Sequence, residues 1–437
     1  MNSLEVLNGM SIKKHYHWII ALLMLLELAV FSGILNNLIS LHMIPVTEEL
    51  QISRGSFSLA FTLRPLVGFF STLLSGVFFA RYGFRKLASL GLLVAALSFV
   101  LLGCSENLFM LALASAVMGL SEGFCTTAAA SRMVNTWFHT NQGLVLGLVT
   151  ASTGLGGSLF SIILSKVIDA GSWRSSYWLS AALIAAVAVL MVLFCRNHPS
   201  DIGLRPFGAD RHHGKKAKKE SRDHWGGFEA PQVMGSPAFY LMLLVVFLSC
   251  VCCYAAFSVV APHLQDMGFT AAQAAFYQSI MLLALAASKF ICGLLSDLWG
   301  AKAINLLCMV CTIAGLVLLA FASTPAIALA AVIVFSVALV LTTITVPLLS
   351  NALFGYHCQG SVIGIFMALV PAASVVTSPI VNILYDRIGS YSPIFMDTAV
   401  LAAAVTGLML LLFALAGKDR KAYEATHQTT PESEEVL

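Results

Sequence analysis

Charge is what this sequence has least of. Asp, Glu, Lys and Arg make up 10% of its 437 residues, where soluble domains carry about 25%. Hydrophobic residues make up 59%, and the mean hydropathy is +0.88. A water-soluble chain of this length cannot hide so much apolar surface, so the bilayer must be its solvent. The period-two alternation of a membrane β-barrel is absent. Disulfide and zinc spacings are absent too. The ten cysteines lie in or beside apolar runs, as at Cys252, Cys253, Cys308 and Cys311, and read as packing residues rather than metal ligands. No small-residue cleavage site follows the first apolar run, which is expected to stay as a helix. There is no nucleophile elbow and no G-x-x-x-x-G-K-[ST] phosphate loop. Neither catalysis nor a bound cofactor is expected.

What is abundant is apolar runs of about 20 residues, the length that crosses ~30 Å of hydrocarbon as a helix. Twelve spans are predicted, at roughly 16–43, 55–80, 86–104, 108–132, 142–168, 174–195, 238–264, 271–298, 303–322, 325–351, 360–385 and 392–416. A polar stretch at 196–237, which includes "GADRHHGKKAKKESRDHWGG", separates a six-helix bundle at 1–195 from a second at 238–417, with a tail at 418–437. If the N-terminus is cytoplasmic, eighteen Lys and Arg fall on that side and four on the other, with Arg64 and Lys289 left inside spans. This bias places both termini and the linker in the cytoplasm of a multi-pass protein of the plasma or inner membrane. The basic linker then sets topology and faces anionic headgroups. It is not read as a nucleic-acid patch.

Two stretches repeat. "SGVFFARYGFRK" (75–86) and "CGLLSDLWGAK" (292–302) align by a shift of 217, which matches Gly76 to Gly293, Gly83 to Gly300 and Arg85 to Lys302. The same shift lays "QGLVLG" (142–147) on "QGSVIG" (359–364) and Asp169 on Asp386. The expectation is an all-α membrane protein of twelve helices in two parallel six-helix repeats, with a site between the halves near the midplane.

The pattern Gly-x-x-x-Asp-x-x-Gly-x-Arg/Lys after spans two and eight resembles the signature loop of the major facilitator superfamily. "NTWFHTNQGLVLGLVTASTGLGG" (135–157) and "RNHPSDIGLRPFG" (196–208) resemble its oxalate:formate antiporter and monocarboxylate transporter branch. The resemblance implies alternating access, with spans 1, 2, 4, 5, 7, 8, 10 and 11 lining the cavity. It also implies a gating set: Gly76, Gly83, Arg85, Gly293, Asp297, Gly300 and Lys302. Asp297 would lie against the start of span five, near Gln142 and Gly143; its alternative is to cap span eight or pair with Lys302 within its own half. Ala80 stands where the first copy would carry the matching aspartate, so the latch would be one-sided. Gln142 stands where that branch often has arginine.

Four charges lie deep in spans: Glu27, Arg64, Glu122 and Lys289. Each costs ~2.5–3.5 kcal/mol at the bilayer centre, so each is expected to face a cavity or a partner. Lys289, one turn before Gly293, sits where the resembled branch holds a substrate-binding arginine. Its alternative is to snorkel to the interface. Arg64 can grip a carboxylate with two parallel bonds, or pair permanently with Glu122 or Glu27. A carboxylate deprived of water exchanges a proton nearer neutral pH, so Glu122 or Glu27 is the candidate proton carrier; static salt bridges are the alternative. Asn36 and Asn37 are expected to interrupt the first helix. Tyr254, Thr342, Thr343, Thr345, Ser374, Thr377 and Ser378 are candidate polar lining. The leading reading is a monomeric secondary transporter of an organic anion, a monocarboxylate, by proton symport or exchange for a counter-anion. The alternatives are a proton-coupled exporter of drugs or cationic solutes using Glu27 and Glu122, and a sensor built on the same fold.

Overall fold

The computed structural model describes residues 15–125, 127–138, 142–208, 230–343, 345–354 and 359–427. Merged across short breaks, its helices form twelve rods. The first half holds α1 (Tyr16–Leu50), α2 (Arg54–Tyr82), α3 (Phe84–Gly103), α4 (Leu108–Glu122, then Thr127–Trp137), α5 (Gln142–Ala170) and α6 (Trp173–Phe194). The second holds α7 (Pro237–Phe257, then Val260–Asp266), α8 (Ala271–Trp299), α9 (Ala301–Ala320), α10 (Pro325–Ala338, then Thr345–Phe354), α11 (Gln359–Ile388) and α12 (Ser392–His427). Ten of the described helices are long and apolar enough to cross a membrane. The last rod continues well past the expected tail boundary.

Local sequence explains the starts. Ser53, Asn107, Ser236, Thr270 and Thr324 each accept a bond from the first turn of α2, α4, α7, α8 and α10, which satisfies donors that a helix start leaves open. Pro237 and Pro325 stand in the first turn of α7 and α10, where no N–H is missed. The repeat is visible in the backbone. Gly83 has φ 81° and ψ 154°, and Gly300 has φ 81° and ψ 155°. Both residues end one helix and begin the next in a conformation that a Cβ disfavours. The breaks of α4 and α10 also superpose on the 217 shift, since Gly123 corresponds to Val340, inside the 3-10 turn Leu339–Thr342.

The first helix differs from expectation. Asn36 and Asn37 lie inside continuous helix, and the irregular turn is a π turn at Leu28–Ser32. Asn37 does not break the helix because its Nδ2 donates to Gly33 O at 3.0 Å and to Gly157 O of α5 at 2.8 Å. Gly33 and Gly156 make this crossing possible: a Cβ on either would strike the partner backbone. The start of the linker is folded rather than free. Phe207 N donates to Trp137 O at 2.9 Å, and Asn197 Oδ1 accepts from Arg85 N at 2.8 Å. Residues 209–229 of the linker lie outside the described residues.

The halves meet along two seams. In one, α5 packs on α8: Gly154 against Ala286, Gly157 against Leu282, and Ser158 bonded to Ser279 at 2.6 Å. In the other, α2 packs on α11, where Ser58 meets Ser378 at 2.8 Å. Both seams close at the end away from the termini and linker, called here the far side. Seven residues nearer the linker on the same helix faces, a Cβ at Gly147 or Gly293 would meet nothing within 4 Å. On this seam α5 and α8 therefore part toward the linker side.

Candidate functional site

A cavity of about 260 Å³ lies where the two halves meet. From the first half it takes Asn36 and Ser40 of α1, Ser58, Thr62 and Arg64 of α2, and Glu122 of α4; from the second it takes Tyr254 and Ser258 of α7 and Ser374 and Ser378 of α11. Phe61, Phe257, Leu35, Ile39 and Val370 supply the apolar wall.

Arg64 and Glu122 form the charged centre, with Arg64 Nη1 at 3.4 Å from Glu122 Oε1. Close packing of α2 on α4 brings them together. Gly119 and Gly123, four residues apart on one face, sit against the backbone of Arg64 and Ser71, and Gly68 leaves room for the Glu122 carboxylate. Ser115 Oγ accepts from the backbone N–H of Arg64 at 3.1 Å. The ion pair is loose: among the described residues it rests on one long contact, both side chains are one-fifth exposed, and Arg64 Nε is buried with no acceptor. An orphaned buried donor costs ~1–3 kcal/mol. An incoming carboxylate or phosphate would relieve that cost with the parallel bonds that a guanidinium makes best.

Of the residues singled out by sequence, the cavity collects Arg64, Glu122, Asn36, Tyr254, Ser374 and Ser378. It does not include Glu27, which is buried elsewhere in α1, or Lys289. Lys289 follows Ala286 by three residues on the seam side of α8, at the level where α5 and α8 begin to part. Thr342, Thr343, Thr345 and Thr377 turn their hydroxyls onto nearby backbone carbonyls instead. In the signature loops, Arg85 donates to Val192 O and Lys302 lies 5.6 Å over the Phe413 ring, so both bind within their own half. The side chains of Asp297, Ala80, Gln142 and Gln359, on which the expected latch turns, lie outside the described part.

A far-side network was not foreseen. Arg54 grips Asp266 of α7 with two bonds, at 2.7 and 2.9 Å. The same guanidinium lies 4.2 Å over the Tyr385 ring and 5.7 Å from the Tyr391 ring. Asp386 Oδ2 accepts from Gly55 N at 2.8 Å, capping the start of α2 from the opposite half. Gly55 is required there, because a Cβ would strike that carboxylate. The repeat carries Ala272 at the equivalent position, and this local asymmetry is the one sequence signal that could have flagged the site. Tyr391 OH bonds Asn382 at 2.8 Å and anchors the network in α11.

The family model described as Major Facilitator Superfamily matches residues 18–370. The membrane sensor protein UhpC of Salmonella typhimurium is 24% identical over 218 residues, 50% of this chain and 48% of that protein. The human glucose-6-phosphate exchanger SLC37A2 is 28% identical over 174 residues, 38% of this chain and 33% of that protein. The chain thus spans about half or less of the length of these curated relatives. Among solved structures, the nucleoside transporter NupG superposes with a TM-score of 0.71 at 12% identity, over 91% of this chain and 99% of that one; this likeness concerns the fold alone. By name these relatives are a sensor and a glucose-6-phosphate exchanger, and neither is named as an oxalate:formate or monocarboxylate transporter.

Proposed function

Because the chain belongs to the major facilitator superfamily, and is therefore a multi-pass membrane protein, we propose that it is a secondary transporter that carries a small organic anion through this cavity by alternating access. The observation that carries the reading is the loose Arg64–Glu122 pair on the cavity wall. Arg64 is the one Lys or Arg among the described lining residues, which suits a substrate with one anionic group, a monocarboxylate or a monophosphate head. Such a group displaces Glu122 from Arg64. Glu122, left without a cation, then takes a proton, so substrate and proton load together. Without net proton movement the same cycle exchanges one anion for another. Hydroxyls from both halves, Ser58 and Thr62 on one side and Tyr254 and Ser374 on the other, read the rest of the solute.

The charge bias puts the linker side in the cytoplasm, so this parted arrangement is inward-open, and one chain suffices to build the site. Lys289, outside the cavity lining and nearer the linker on α8, draws the anion toward Arg64 rather than holding it. The exporter alternative needs two acids in the cavity, and among the described lining residues Glu122 is the one acid.

The test is a thermal-shift screen of the purified protein against monocarboxylates, sugar phosphates and amines, with Arg64→Gln in parallel. Stabilisation by an anion that vanishes in Arg64→Gln is expected. Stabilisation by amines, or anion stabilisation that survives Arg64→Gln, overturns the reading.

A further inference from the structure

Most hydroxyl protons around the cavity are already committed to the protein. Thr62 Oγ1 donates to Leu59 O at 2.6 Å, Ser258 Oγ to Tyr254 O at 3.2 Å, and Ser374 Oγ to Pro371 O at 2.8 Å. Each closes onto the helical turn before it, as hydroxyls in helices do. Ser40 gives its proton to Gln278 Oε1 at 3.0 Å and receives the N–H of Ala261 at 3.1 Å. Ser58 and Ser378 share one proton across 2.8 Å, so that pair has one left to give. A hydroxyl oxygen has two lone pairs. Among the described residues nothing donates to the hydroxyls of Thr62, Ser258 or Ser374, so these three offer the cavity acceptors and no donor. They stand on α2, α7 and α11, and so on both halves. Two prolines add to the surplus. Pro65 and Pro371 lie inside α2 and α11 and line the cavity, and a proline supplies no N–H to the carbonyl one turn back.

A solute that suits this inventory has one anionic group for Arg64 and donors along the rest of its body. Beyond its carboxylate, an alkyl or keto acid brings no donor. Once the cavity closes and its water leaves, such an acid strands the three hydroxyl oxygens. A phosphate ester brings a charge of about −1.5 to −2, while Arg64 is the one Lys or Arg among the described lining residues. An ammonium is a compact point charge and needs acceptors gathered at one spot, whereas these are spread over three helices. The room, about 260 Å³, falls below the ~300–1,000 Å³ of sites for drug-sized ligands, so the body is compact.

We propose that the transported anion is a polyhydroxylated monocarboxylate, a sugar acid whose carboxylate seats on Arg64 and whose hydroxyls donate to Thr62, Ser258 and Ser374. This rests on the anion reading of Arg64 and narrows it. The three acceptors belong to both halves, so the bonds that select the solute also draw the halves together over it.

Isothermal titration calorimetry of the purified full-length protein tests it. The probes are gluconate, galactonate and glucuronate, with hexanoate as the acid of equal carbon count that lacks their hydroxyls. The tightest-bound sugar acid should bind about 100-fold more tightly than hexanoate, since each of the hydrogen bonds to Thr62, Ser258 and Ser374 is worth roughly a factor of five. Glucose 6-phosphate and 6-aminohexanoate should both bind more weakly than that sugar acid. Thr62→Val and Ser374→Ala should each cut the sugar-acid-to-hexanoate affinity ratio about fivefold; the comparison of probes on the unmodified protein needs neither variant to fold. Hexanoate binding as tightly as the sugar acids, glucose 6-phosphate or 6-aminohexanoate binding more tightly, or a ratio unmoved in both variants overturns the proposal. In each of those cases, loss of binding in Arg64→Gln still upholds the anion reading. Sugar-acid binding that survives Arg64→Gln overturns both.

Discussion

Removing the Arg54 guanidinium should open the far side. Arg54→Gln deletes a two-bond contact to Asp266 and the cation stacked on Tyr385. Exposed ion pairs contribute ~0.2–1 kcal/mol, but this one is partly buried and bidentate, and hydrogen bonds to charged groups reach ~1.5–3 kcal/mol. The stacking adds ~0.5–1 kcal/mol. The pair is still 15% and 25% exposed at its two side chains, so water recovers part of the loss. A net ~2 kcal/mol against the far-side-closed state shifts the population about 30-fold. Asp266→Asn keeps the stacking and one bond and should lose ~1 kcal/mol, about fivefold, by the same conversion. Electron–electron distance measurements would read this from spin labels at Glu48 and Ala272, both exposed at the far ends of α1 and α8, in a background freed of native cysteines. The long-distance population should rise in the order unmodified, Asp266→Asn, Arg54→Gln. An unchanged distribution in Arg54→Gln would show that the charged contact does not hold the far side shut.

Two further outcomes are expected. Lys289→Gln should lower the anion association rate several-fold, and more at low ionic strength than at high, because a charge outside the cavity lining steers rather than binds; in stopped-flow binding, an effect confined to dissociation would make Lys289 a direct ligand instead. Asp297→Asn should raise linker-side thiol accessibility by up to roughly tenfold if its carboxylate caps the start of α5 from the opposite half, and unchanged labelling would remove the latch.

The architecture was legible because its signals are local or periodic. Apolar runs mark the rods, and Gly83 and Gly300 mark the repeat wherever one reads them. Arg64 and Glu122 were legible because charge inside an apolar run is conspicuous. Their pairing was not, since it depends on how closely Gly68, Gly119 and Gly123 let α2 approach α4. The polarity of Asn36 and Asn37 suggests an interruption of α1, whereas Asn37 is satisfied by carbonyls of its own turn and of α5 and the helix runs on. In the sequence Arg54 is simply one of the four cations on the far side. Its partners Asp266 and Tyr385 lie hundreds of residues along the chain, and nothing near Arg54 points to them.

The two seams are built of different materials, and that sets how the far side swings. Along α5 and α8 the contact is hydroxyls and small residues, with Ser161 bonded to Ala275 O at 2.6 Å. Along α2, α7 and α11 it is carboxylates, a guanidinium and stacked rings. The first edge is neutral and indifferent to ions, while the second weakens as salt rises. The far side is thus a door with a hinge on one jamb and a catch on the other, and the ionic strength of the medium it faces works the catch alone.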